Sequence, residues 1–451
     1  MLSCMFRLNI KMVMSIRWKN IVLLLCCASI FNFSCKKQFS SDAPLPTSYS
    51  PSIIISSDNQ VVYALNPQTG AKNWQLSLPP LNGLLPTDFA PSPMMYNGVL
   101  YLTSINSDTI YKVNANTGTV IKRMTVSGTN SAAYFTVIAT PVASGGLIFL
   151  ATTNDTLYAI DTTGVTHWKF GADGPLESSP VVYNGYVYIA STTGHVFCIS
   201  TSGPGTSSSG SVGTNPNSPV WEYPSSDIIP NILNGYTSNV SFVSSPTICP
   251  PYLYIGSTAD SNMYCIYLTP PAPTTASTGL GVTVGVARWV FKTSGGIYSS
   301  PDALDGRVIF GSNDFQVYCL DSTPQYISGQ PHVIWHDSTH DEVYSSPFVS
   351  NQMVYVASRD YRLYALNIIN GQSKWSFKSN GLIKSSPLVY GGMVYIGSYD
   401  KNIYALDSAT GTLKWQFNTN GNIECSPVVN DLTGNNYNAS QISGFMRQPN
   451  D

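Results

Sequence analysis

Charge is what this sequence has least of: Asp, Glu, Lys and Arg together make up 10% of its 451 residues, and the formal net charge is −2. With neither sign in excess, there is no electrostatic footprint for nucleic acid. Cysteine is also sparse, nine in all and five of them beyond position 35, which excludes a disulfide-built scaffold. Long apolar runs are missing as well. The most continuous, IVLLLCCASIFNF at 21–33, is shorter than a transmembrane helix requires. Nucleophile elbows, phosphate-cradling glycine loops and metalloprotease helices are likewise absent. What fills the chain instead is Tyr, Thr, Ser, Asn and Gly between short apolar runs, a mixture that favours β-structure with many turns.

The first 34 residues are a different kind of text. Arg17 and Lys19 lead into the apolar run, and Ser34 and Cys35 follow it. A basic start, a short apolar stretch and a small residue before the cut compose a secretory signal. Ending on a cysteine, it resembles a bacterial lipoprotein signal, which implies that Cys35 is lipidated and becomes the mature N-terminus. Met14 as the start gives a leader of ordinary length, although Asn32 stands where such signals usually carry Leu. An uncleaved anchor and plain secretion are the alternatives. Residues 35–50 are polar, hold two prolines and read as a tether.

From 51 to 430 the chain repeats itself at a period of roughly 40 to 50 residues, the signature of a stacked or radial fold. An aromatic residue recurs at Tyr63, Tyr111, Tyr158, Phe197, Tyr264, Tyr318, Tyr364 and Tyr404. Tryptophan follows at Trp74, Trp168, Trp221, Trp289, Trp335, Trp375 and Trp415; the second repeat alone lacks one, with Lys122 nearby. A small residue and then proline opens each unit, at Pro93, Pro141, Pro180, Pro246, Pro301, Pro347, Pro387 and Pro427. Residues 385–417 divide into the strands SPLVY, MVYIGS, NIYALD and LKWQF, broken by GG, YDK and SATG, which supply hairpin turns. Four antiparallel strands repeated about an axis describe a β-propeller blade, with the Trp and Tyr slots as the expected inter-blade packing. The proline and aromatic motifs, eight of each, are out of phase at the ends. The first unit has no Ser-Pro strand, and ECSPVV at 424–429 supplies one. We therefore expect an all-β, eight-bladed propeller over 51–430, closed by its last strand completing its first blade and followed by a tail over 431–451.

The blade text, small-Ser-Pro, VYIGS, then YALD and TG ahead of Trp, resembles the pyrroloquinoline-quinone (PQQ) repeat family across the whole repeat region. Two branches of that family share such blades: the quinoprotein dehydrogenases, and the B subunit of the outer-membrane β-barrel assembly machinery, a scaffold lipoprotein. The first branch implies a vicinal disulfide over PQQ and a calcium ion held by oxygen ligands. The only adjacent cysteines, Cys26 and Cys27, fall in the signal, and no acidic cluster stands apart from the repeat turns. The resemblance thus implies the second branch: a non-catalytic, lipid-anchored scaffold of the cell envelope at the outer membrane, without a cofactor. Its implied partners are envelope proteins, a β-barrel assembly protein among them. A PQQ- and calcium-dependent oxidoreductase and a glycan- or peptide-binding surface lipoprotein stand as alternatives.

Three further features bear on a site. PHVIWHDSTHDE at 331–342 gathers His332, His336 and His340 beside Asp337, Asp341 and Glu342. It aligns with an outer strand, where His332 and His336 stand ~13 Å apart, too far to share one ion. No metal is expected there. The residue three before each motif proline should ring the axial mouth, giving Ala90, Ile138, Glu177, Val243, Tyr298, Tyr344, Lys384 and Glu424. Tyr298, Tyr344, Lys384 and Glu424 form the candidate binding patch, with Lys384 and Glu424 paired to each other as the simpler reading of that half. Long inserts, rich in Gly, Ser, Thr and Pro, separate aromatic from tryptophan in the fourth and fifth repeats, and they suit either interaction or passive disorder. Cys198, Cys265 and Cys319 take the small slot that Ala64, Ala159, Ala365 and Ala405 fill elsewhere, while Cys249 and Cys425 leave a disulfide open.

Overall fold

The computed structural model of the protein describes residues 51–78, 92–103, 109–126, 136–205, 218–224, 239–268, 283–284, 287–322, 331–431 and 436–438. Cys35, the signal and the tether lie outside these residues, as do Ala90 and most of the two long inserts.

Eight antiparallel sheets form, one per repeat. Within a blade, the three-residue strand after the motif proline is innermost. In blade 8 it is Leu388–Tyr390, followed outward by Met393–Gly397, Asn402–Asp407 and Leu413–Asn418. The hairpin from inner to second strand turns on two residues at positive φ, such as Asn97-Gly98, Asn184-Gly185 and Asp305-Gly306, the pairing that a type I′ turn demands. The two middle strands are buried along nearly their whole length, because both faces meet neighbouring blades. The outer strands alternate exposed and buried positions, since only one face is covered. Blade 1 is assembled from both ends of the repeat region: Val428–Asn430 pairs with Ser52–Ser57, Ile54 opposite Val428, as the ring closure requires.

The recurring words of the sequence become bonds between blades. All seven tryptophans of the repeats donate the indole N–H to a backbone carbonyl of the next blade at 2.8–3.3 Å, from Trp74 to Ala115 around to Trp415 and Pro67. Each faces the Ala or Cys of the small slot across the sheet, as Trp415 faces Ala405 and Trp335 faces Cys319. The turn glycine of the next blade lies on the indole: a Cβ on Gly70 would sit 2.7 Å from Trp415, and its φ is +70°. In blade 2 Lys122 faces Lys112 instead, and the two ammonium groups donate to the carbonyls of Thr163 and Thr162 at 2.9 and 3.1 Å. A cation thus replaces the indole donor at this one seam.

A second belt surrounds the axis. At seven of the eight motif prolines the preceding residue donates its N–H to the Oγ of the equivalent serine one blade on, at 2.9–3.1 Å: Thr140 to Ser179, then Ser245, Ser300, Ser346, Ser386, Ser426 and Ser92. Each of these serines before a motif proline is thus held for its hydroxyl as well as its size. A third device is a latch. Tyr318, Tyr364 and Tyr404 donate their hydroxyls to Asp314, Asp360 and Asp400 at 2.9, 2.5 and 2.6 Å. The same carboxylates accept the N–H of Ser294, His340 and Asn380 from the linker entering the blade.

Two sheets carry a fifth strand. Thr283–Val284, part of the fifth repeat's insert, pairs in parallel with the outer strand of blade 4. Asn436–Asn438, in the stretch read as a tail, pairs antiparallel with Val428–Asn430 on its axial side.

Candidate functional site

The linkers entering each blade and the turns between its second and third strands gather on one face, at one end of the axial channel. Backbone bonds tie them together: Tyr399 N–H to Leu382 O at 2.9 Å, Arg359 to Glu342 at 3.0 Å, Asn313 to Gly296 at 2.9 Å. This places the residue three before the proline beside the residue that follows the last serine or glycine-capped strand, blade after blade.

In blades 6 to 8 the result is a connected polar and aromatic cluster. Tyr298 and Tyr344, on neighbouring blades, lie with ring centroids 4.7 Å apart and planes tilted by 34°. Arg359 rests over Tyr344 at 5.5 Å and pairs with Glu342. Lys384 pairs with Glu424 at 3.2 Å and lies 5.0 Å over the ring of Tyr399. Burial first, then the neighbouring Tyr344 and the carboxylates of Glu342 and Glu177, pushes the Tyr298 phenol above its ordinary value. Glu177 belongs to blade 4, so its field reaches Tyr298 across a blade. The Glu342 carboxylate in turn raises the Arg359 guanidinium.

Three turn residues at one repeat position, Asn313, Arg359 and Tyr399, each hold a buried polar atom without a protein partner: Oδ1, Nε and the hydroxyl. Buried polar groups are nearly always bonded, so this arc keeps unused acceptor and donor capacity at the mouth. Sequence reasoning missed these three. Their position repeats while their identity does not, and only the fold aligns them.

Of the eight predicted mouth positions, Tyr298 and Tyr344 meet in a ring contact and Lys384 and Glu424 in an ion pair. Glu177, Val243 and Ile138 continue the ring, and Ala90 lies outside the described residues. The histidine segment disperses. His332 precedes the strand Val333–Ser338, His336 bonds Gln316 at 3.1 Å, and His340 turns to Tyr364 at 3.3 Å. Among the described residues no three His, Cys, Asp or Glu side chains gather to hold an ion. The possible Cys249–Cys425 bridge does not form: both are without a disulfide. Cys425 instead accepts the Ser56 N–H at 3.3 Å and donates to its carbonyl at 3.0 Å. That is the place of Ser345, which bonds Ala357 N–H and carbonyl in blade 7.

The sequence profile of one family, described as outer membrane protein assembly factor BamB, matches residues 58–203 and 332–436, more than half of the chain. No curated protein matches it. Among solved structures, BamB from Moraxella catarrhalis is 16% identical, with a TM-score of 0.54, covering 75% of this chain and 90% of that one. A europium-containing methanol dehydrogenase is 14% identical, with a TM-score of 0.55, over 75% and 81%. A computationally designed protein, Ika8, is 12% identical, with a TM-score of 0.55, over 78% and 94%. At these identities the structural likeness speaks for the fold alone, and the fold hosts an assembly factor, an oxidoreductase and a design alike.

Proposed function

The chain belongs to the family of the outer membrane protein assembly factor BamB, and from that premise we propose that it is a non-catalytic, protein-binding scaffold of the bacterial cell envelope that assists outer-membrane protein assembly. The observation that carries this reading is the arc of Tyr298, Tyr344, Arg359, Lys384 and Tyr399 at the mouth. Tyr and Arg are the residues in which binding energy concentrates at protein interfaces. The arc's acids argue against a quinoprotein centre. Glu342 and Glu424 are already neutralised by Arg359 and Lys384, and the turn carboxylates of Asp314, Asp360 and Asp400 are spent on tyrosine hydroxyls. Holding a hard cation there would mean breaking or sharing these ion pairs and hydrogen bonds. In the same reading Cys35 carries the lipid that holds the propeller to the outer membrane.

Crosslinking of the lipidated protein in native membranes, followed by identification of what co-purifies, tests the proposal. Recovery of a β-barrel assembly protein is the expected result. Absence of any protein partner, together with a quinone absorption band on addition of PQQ and Ca²⁺, would overturn it in favour of an oxidoreductase. The tilted, closely approaching tyrosine pair favours a second reading, glycan or peptide capture at the mouth. The double variant Y298A/Y344A abolishes binding in that case and leaves a rim-mediated contact largely unchanged.

A further inference from the structure

Seven blades end at their inner strand; among the described residues only blade 1 continues past it. There Asn436–Asn438 adds a strand on the axial side, pairing Val428 with Asn438, Val429 with Tyr437 and Asn430 with Asn436. It also neighbours Met94–Tyr96, the inner strand of blade 2, so it lies inside the ring at the seam of those two blades. The inner strand runs inward from Glu424 at the mouth. The antiparallel added strand therefore runs back toward the mouth, with Asn438 nearer to it than Asn436.

The added strand is three residues long, and its text, Asn-Tyr-Asn, has none of the apolar character of the blades. Its hold on the ring comes from backbone pairing, which is indifferent to sequence and open to any extended chain. Blade 1 differs in a second way that matters. Its inner strand and its second strand come from opposite ends of the repeat region, so no hairpin turn fixes the inner strand from that side.

We propose that the axial edge of Val428–Asn430 is a docking edge for an extended polypeptide segment, and that the chain's own strand Asn436–Asn438 occupies it in cis as a competitor. A partner strand takes the place of the tail, pairs with the same backbone groups and emerges at the mouth beside Lys384, Glu424 and the tyrosine arc. This deepens the protein-binding reading and rests on it: the partner is an unfolded or extended chain, recognised by its backbone.

The test uses a fluorescent peptide of residues 432–441 as probe, against the full chain and a variant ending at Asp431. The truncated protein is expected to bind the peptide at least tenfold more tightly than the full chain, and a peptide with proline at positions 436 and 438 is expected not to bind. Equal or absent binding by a truncated protein that melts as the full chain does would overturn the proposal. If truncation prevents folding, hydrogen exchange of the unmodified chain decides. Amides of Val428–Asn430 that face the tail should exchange at least tenfold faster than those that face Ser52–Ile54, and equal protection would overturn displacement. Both readouts are independent of which envelope protein co-purifies, so failure here leaves the scaffold reading standing, and failure of the crosslinking leaves the docking edge standing.

Discussion

Trp415 joins blade 8 to blade 1, and the closure of the ring passes through its indole and through Gly70 beneath it. Replacing the tryptophan with Phe keeps a ring but removes one of the two donors on the Pro67 carbonyl, leaving only the Tyr395 hydroxyl at 3.1 Å, which should cost about 1 kcal/mol in urea unfolding. Gly70→Ala places a methyl group against the indole at a φ that L-residues avoid, and should cost more, about 2 kcal/mol. Cysteine behaves here as a packing residue. Burial pushes the thiols of Cys198, Cys319 and Cys425 up to about 12, so none is a ready nucleophile. Because Cys425 fills a serine's place, Cys425→Ser should change stability by less than about 1 kcal/mol. Mass-spectrometric labelling without reductant should find Cys198, Cys249, Cys265, Cys319 and Cys425 all modified once the protein is denatured; a protected pair would contradict the bonds described for Cys425.

At the level of the element, the latch between linker and turn is built one way at blades 6, 7 and 8 and reversed at blade 4. There Thr193 holds the position of Asp400, and the acid has moved to the linker as Asp173. Thr193 donates to Asp173 at 2.5 Å and His195 Nδ1 lies 2.5 Å from the same oxygen. Burial alone would push Asp173 up, but hydrogen bonds from His195, Thr193 and Ser191 outweigh it and hold the acid at about 2. Burial likewise would lower His195, yet the Asp173 carboxylate, helped by Glu222, raises it overall. The raised histidine contributes stability that is complete below its unfolded value, about 6.5, and is lost as pH climbs through its folded value. The depressed acid contributes above its unfolded value, about 3.9, and loses that as pH falls toward 2. The pair thus stabilises most between about pH 4 and 6.5. The triple variant D173N/T193D/H195N, which moves the acid to the turn as in blade 8 while Phe197 supplies no hydroxyl, should flatten the fall in Tm between pH 6 and 8. An unchanged slope would mean that another group is responsible.

Over the whole molecule, what could be read in the sequence was whatever repeats. The proline and aromatic motifs counted the blades and exposed the mismatch at the ends, because a ring makes every blade answer to the same neighbours. The contacts of Tyr298 with Tyr344 and of Lys384 with Glu424 on adjacent blades follow the same register. What stayed hidden was either chemistry shared under a broader label or text without a pattern. The Ser-Pro words were legible, but not that the Ser386 hydroxyl and its equivalents accept the N–H of the preceding blade. Asn313, Arg359 and Tyr399 differ from one another and so resembled noise at a repeated position. Asn436–Asn438 comes from a polar stretch without alternation, and Thr283–Val284 from a short V-T-V-G-V alternation inside a Gly-, Ser-, Thr- and Pro-rich insert; each pairs where a sheet edge stands ready beside it.

The way the ring closes also governs how it bears load. Ser52–Ser57 is the second strand of its blade, clasped between Val428–Asn430 on one side and Val61–Leu65 on the other. A pull on the chain ahead of Ser52, directed along the strand, strains both ladders in shear, so their hydrogen bonds yield together and not one after another as in peeling. A propeller tugged through that end resists as a clasped buckle does, and the part that gives way first is the blade where the chain's beginning and end are sewn together.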